Sequence, residues 1–120
     1  PNITGDLEVE GKSSPDQIKD DSAILFDTEN GGVLLTGCSH SGILNLAKEA
    51  EKQCGQIYAV VGGFHLVAAE EQRIDNIITE FKNMGIEELR PGHCTGEHAI
   101  KRMEKELGAK RITTGEVLQL

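Results

Sequence analysis

Thr36-Gly37-Cys38-Ser39-His40-Ser41-Gly42 decides how the rest of the chain is read. An apolar run, Val33-Leu34-Leu35, leads into it, and an amphipathic pattern starting at Ile43 leads out. A strand therefore feeds a helix through a turn of small residues, which presents Cys38 and His40 at the strand's C-terminal end. In open α/β sheets, ligands bind at that end. Cys38 and His40 stand two apart, so extended backbone puts them on one face. The small neighbours let backbone and ligand approach closely. Two later turns share the layout: Gly62-Gly63-Phe64-His65 and Pro91-Gly92-His93-Cys94-Thr95-Gly96.

Working outward, Ala23-Ile24-Leu25-Phe26 has the composition of a buried strand. Asn30-Gly31-Gly32 is a hairpin signal between it and Val33-Leu34-Leu35, so these two strands should pair antiparallel. Ile43, Leu46, Ala47, Ala50 and Cys54 recur at helical spacing, predicting a helix over 41–53 that Gly55 stops. A strand over 56–61 follows, then a helix over 69–83 with Ile74, Ile77, Ile78 and Phe81 as its stripe. A short strand over 86–89 precedes a helix over 96–107 that turns Ile100, Met103 and Leu107 inward. Residues 111–120 read as a last strand, or two short ones broken at Gly115. Residues 1–20 read as an irregular lead-in, with Leu7-Glu8-Val9 as a candidate edge strand and Ser13-Ser14-Pro15 as loop. Strands alternating with helices imply an α/β domain with a mixed sheet. No repeat or linker divides residues 1–120.

Composition narrows the function. Twenty acidic residues against twelve basic leave a net charge of −8, which argues against a nucleic-acid-binding face. No apolar run approaches the roughly 20 residues needed to span a bilayer. Three cysteines are an odd number, unsuited to a closed disulfide framework. With no signal peptide visible, a cytoplasmic setting is expected. The Pro-Asn start is expected to reflect a beginning inside a longer protein, or processing.

Each candidate side chain has two readings. His40, His65 and His93 are metal ligands or structural turn histidines. Cys38 and Cys94 each neighbour one of them, and thiolates bind zinc well. No C-x-x-C pair suggests a zinc ribbon, and no family motif surrounds either cysteine as a nucleophile. Cys54 ends a helical face and reads as a small core residue. Thr95 is a suitable N-cap, and with Gly96 it could hold an anion at a helix N-terminus. His98, one turn into that helix, reads as a surface residue. Asp20-Asp21 are a solvated loop or support a nearby metal.

The three turns together, with Asp21-Ser22-Ala23 ahead of a strand, resemble the C-terminal half of the metallo-β-lactamase superfamily. In particular they look like the branch of dihydropterin-ribofuranosyl-aminobenzene-phosphate synthase-like proteins. The resemblance runs from about residue 20 to about 115. It implies an αββα sandwich with a mono- or dinuclear metal centre at one edge. His40 matches the histidine of the third motif and His93 that of the last, both metal ligands. His65 stands where the family usually supplies a bridging aspartate. Cys38, Ser39 and Cys94 would support these ligands, and Thr95 and Gly96 would bind substrate.

The His-x-His-x-Asp-His motif of the family's N-terminal half does not occur here, so the resemblance implies half of the fold. It further implies a divalent metal, zinc first, with manganese or iron also compatible. The reaction would be hydrolysis or transfer on a phosphorylated, pterin-like small molecule. The partner would be the N-terminal half or a second copy of the chain. The rival reading is a non-catalytic α/β module that holds a small anion at the Thr95 turn.

Overall fold

The computed structural model describes residues 6–9, 12–15 and 22–120. β1 (Asp6–Val9) and β2 (Lys12–Pro15) form a hairpin of their own, with Asp6 opposite Pro15 and Val9 opposite Lys12. The lead-in is therefore not wholly irregular. Ser13-Ser14-Pro15, expected as loop, is strand, and Pro15 ends it where a missing N–H is tolerated. Asp20 and Asp21 lie outside the described residues.

β3 (Ala23–Thr28) and β4 (Gly31–Thr36) pair antiparallel, as the hairpin signal predicts. The loop is Glu29-Asn30, however, and both glycines fall inside β4. Packing explains their place: a Cβ on Gly31 would lie 3.0 Å from the Gln56 carbonyl oxygen, and φ there is +130°. Thr28 Oγ1 donates to the Gly31 carbonyl at 2.6 Å and closes the turn.

α1 (Ile43–Cys54) crosses to β5 (Ile57–Gly63), and α2 (Glu71–Met84) crosses to β6 (Glu88–Gly92). Both crossovers produce parallel pairs, so the sheet runs β3-β4-β5-β6 with one antiparallel edge. A 3₁₀ turn (His93–Thr95) leads into α3 (Glu97–Leu107). β6 thus starts two residues later than the strand expected over 86–89 and takes in Arg90-Pro91-Gly92. Gly85 and Gly108 end their helices in the left-handed conformation that glycine adopts freely.

All three helices cover one face of the sheet. Leu25, Leu34, Val60 and Leu89 are in register across it, and they pack with Ile43, Ala47, Ile74, Ile78, Phe81 and Met103 in one core. Cys54 packs at the margin of that core. The other face carries Ile24, Phe26 and Leu35, which are 55%, 49% and 39% exposed. Ile24 lies opposite Leu35, and Phe26 follows two residues on, so the three form one patch. The reading of Ala23–Phe26 as a buried strand is thereby corrected. β3 is the sheet's edge, and every second side chain turns away from the helices.

The expected strand over 111–120 is also absent. The chain does follow β6: Lys110 N–H donates to Leu89 O and Ile112 N–H to Pro91 O, both at 3.0 Å. That is one half of a parallel ladder. The reciprocal donor would be the N–H of residue 91, which proline lacks. The Lys110 carbonyl is satisfied instead by Arg90 Nε at 2.9 Å. Arg90, 7% exposed, also pairs with Glu116. That guanidinium, with help from Thr113, holds the Glu116 carboxyl below its usual range. Among the described residues, no helix is long and apolar enough to cross a membrane.

Candidate metal centre

Because β4, β5 and β6 are parallel, the three histidine turns come out at the same edge of the sheet. Hydrogen bonds then join them. Gly63 N–H donates to Gly37 O at 2.7 Å, and Ser39 Oγ donates to Gly63 O at 2.6 Å. Thr36 Oγ1 lies 2.9 Å from Ser39 Oγ, whose own proton is engaged, so Thr36 is the donor there. Ser39 is fully buried and ties the first turn to the second. Thr95 ties the second to the third. Its Oγ1 accepts from Phe64 N–H at 2.9 Å and donates to Gly92 O at 2.7 Å. Cys94 O accepts from both Leu66 and Val67 N–H at 3.2 Å.

This corrects the N-cap expectation for Thr95. The N-cap position of α3 is Gly96, no side chain caps the helix, and Thr95 is fully buried with its hydroxyl engaged on both sides. Gly96 lies close to Val67: a Cβ there would come 2.7 Å from the Val67 Cα.

Among the described residues, three non-glycine positions have positive φ: Ser39 at 62°, His65 at 51° and His93 at 52°. Each lies in one of the three turns. The left-handed region is unfavourable for such residues, and where it persists the surrounding structure holds it. Here the hydrogen bonds between turns do so.

Side chains assemble at this edge in two groups. His40 and His65 meet edge to face, with ring centroids 4.9 Å apart. Cys38 Sγ lies 3.3 Å from His93 Nδ1, and the Cys94 thiol donates to Cys38 O at 3.4 Å. One potential ligand atom from each of Cys38, His93 and Cys94 lies within 4.8 Å of the other two. Burial, reinforced by Cys38, pushes the Cys94 thiol up from its ordinary value. Beside this group is an open cavity of about 320 Å³, bounded by Gly37, Cys38, Gly63, Gly92, His93 and Ile112. The histidines expected as ligands are thus all at one edge, but His40 sits with His65 while His93 sits with the two cysteines. His98 is on the outer side of α3 beside Glu71, in a surface cluster where Arg102 also reaches Asp75 and Glu106.

The two cysteines were legible in the sequence only as neighbours of histidines. Their meeting depends on the β4–β5–β6 register, which no local spacing encodes.

No family profile matches the chain. It is 34% identical over 113 residues to the 7,8-dihydropterin-6-methyl-4-(β-D-ribofuranosyl)-aminobenzene-5'-phosphate synthase of Methanocaldococcus jannaschii, an alignment covering 91% of this chain and 38% of that protein. An uncharacterised protein of the same organism is 36% identical over 96 residues, or 80% of this chain and 35% of its own length. A solved structure of a metal-dependent hydrolase of the β-lactamase superfamily superposes with a TM-score of 0.90 at 34% identity, over 96% of this chain and 46% of that one. Sequence and fold together support its assignment to the metallo-β-lactamase superfamily. It spans less than half the length of each of these relatives. Its mixed four-stranded sheet with three helices on one face is the α/β arrangement shared with the superfamily hydrolase. Imidazole and thiol groups converging at the strand ends form a donor set that fits a divalent metal.

Proposed function

We propose that this chain contributes one side of the metal centre of an enzyme that hydrolyses or transfers a group on a phosphorylated, pterin-like small molecule. The observation that carries this reading is the convergence of three hydrogen-bonded turns at one sheet edge, two of them holding a histidine at positive φ. Conformational strain concentrated at ligand-bearing turns is characteristic of sites kept for chemistry. The name of the M. jannaschii synthase supports the substrate class.

In this reading His40 and His93, with His65, are ligands, and the remaining ligands come from the N-terminal half of the fold. Zinc is the metal proposed, with manganese or iron compatible with the same histidines. A bound divalent metal supplies Lewis acidity, which activates a water or polarises a phosphate oxygen. Ser39 and Thr95 hold the ligand turns in place. An anionic substrate group is held at the start of α3 by backbone at Gly96, because the Thr95 hydroxyl is already engaged. Replacing His40 or His93 with alanine should lower activity by about 100-fold or more, beyond the cost of losing a group that only supports a ligand. His98→Ala should leave activity within about twofold. Wild-type activity and metal content in both ligand variants would refute the assignment.

The exposed patch of Ile24, Phe26 and Leu35 is proposed as the seat of the N-terminal half, or of a second copy in its absence. An apolar face of this kind marks an interaction surface. Light scattering on the 120-residue chain alone should show concentration-dependent association, reduced by Phe26→Lys. A cooperatively folding monomer at micromolar concentration would contradict it.

A further inference from the structure

We propose that Cys38 and Cys94 join His93, which the reading above also counts as a ligand, in a thiolate-rich metal site able to take a zinc-like, thiophilic divalent ion using residues of this chain alone. The proposal goes beyond the reading above, which draws further ligands from outside the chain and counts neither cysteine as one.

Geometry carries the argument. Tetrahedral zinc with sulfur at about 2.3 Å and nitrogen at about 2.0 Å needs its donors roughly 3.5–4 Å apart. Cys38 Sγ and His93 Nδ1 are 3.3 Å apart, and all three donor atoms lie within 4.8 Å of one another. Small side-chain rotations suffice to close the set. The backbone is already held in place. His93 is kept at a φ of 52°. Thr95 Oγ1 bonds back to Gly92 and so locks the short turn that carries both His93 and Cys94.

The second turn is shaped around this group. A Cβ on Gly63 would stand 2.6 Å from the Gly37 carbonyl oxygen, 3.0 Å from Cys94 Sγ and 3.3 Å from the Cys38 Cα, so glycine lets the second turn sit close against both cysteine-bearing turns. The donor set leaves one tetrahedral position open, and the cavity walled by Gly37, Gly63, Gly92 and Ile112 adjoins it. A water or an anionic ligand atom fits there. Two thiolates and one imidazole also favour zinc, cadmium or cobalt over magnesium, calcium or manganese, which prefer oxygen. The His40–His65 pair takes no part.

Cobalt(II) is the probe, because thiolate ligation gives it an intense near-ultraviolet charge-transfer band that imidazole ligation does not. The intact protein, stripped with a chelator under reducing conditions, is titrated with cobalt chloride. The band should grow to saturation at one equivalent and disappear in Cys38→Ser and in Cys94→Ser. It should persist in His40→Ala and in Cys54→Ser.

A measurement on the wild-type chain covers variants that fail to fold. Zinc should slow alkylation of Cys38 and Cys94 by iodoacetamide at least tenfold, read by peptide mass mapping, while Cys54 is unaffected. Cobalt bound without the thiolate band, or zinc that protects neither Cys38 nor Cys94, would overturn the proposal. The two readings fail separately. Metal lost in His40→Ala with no thiolate band would overturn this site and leave the enzymatic reading standing. A thiolate band in a protein whose activity survives both His40→Ala and His93→Ala would establish this site and refute that reading.

Discussion

Thr95→Ala is expected to destabilise the protein by about 2–6 kcal/mol, because one hydroxyl satisfies two buried backbone groups. In the wild type its oxygen takes the Phe64 N–H and gives its proton to Gly92 O, in a position with no solvent exposure. Removing it leaves a buried donor and a buried acceptor unpaired, each costing roughly 1–3 kcal/mol. A cap alone would cost roughly 0.5–2 kcal/mol and would act only on α3. Thr95→Ser, which keeps the hydroxyl, should recover most of the loss, whereas Thr95→Val, which keeps the shape, should not. Urea unfolding of the three variants separates these cases. Equal midpoints for Thr95→Ala and wild type would show that the two backbone groups find other partners. Because Thr95 joins the second and third turns, the alanine variant should also weaken metal binding without touching a ligand.

Gly62→Ala is expected to be comparably severe, with a loss of about 4 kcal/mol. Roughly 1–3 kcal/mol comes from overpacking and a similar amount from the backbone conformation. At a φ of +137°, the added Cβ would collide with the Thr36 carbonyl oxygen in the neighbouring strand. The strand ends would have to part where Gly63 N–H now reaches Gly37 O at 2.7 Å. Gly37→Ala supplies the control: it lies at the same edge, but nothing stands within 4 Å of its Cβ position. Its stability should change by less than about 1 kcal/mol. Similar midpoints for the two variants would mean that β4 and β5 are not held as closely as described.

The sequence by itself determined what local patterns can encode. The hairpin of β3 and β4 followed from two apolar runs around Asn30-Gly31-Gly32. The helices followed from stripes such as Ile74, Ile77, Ile78 and Phe81, all of which are buried. The three histidine turns were legible because each is a short run of glycines and one imidazole after a strand, and the superfamily resemblance rested on them. Tertiary structure decided the rest, since spacing constrains only residues a few positions apart. The register of β4, β5 and β6 chose which donors meet, bringing Cys38 to His93 across 55 positions and leaving His40 beside His65. Thr95 looked like a cap because its neighbours in sequence form a helix, but its partners, Phe64 and Gly92, come from the ends of two strands. The last segment had the composition of a strand, yet Pro91 on the adjoining edge withholds the N–H that a ladder needs. The apolar run of β3 has the composition of a buried strand, but composition reports only what a side chain is. With all three helices on one face, the fold determines what covers it.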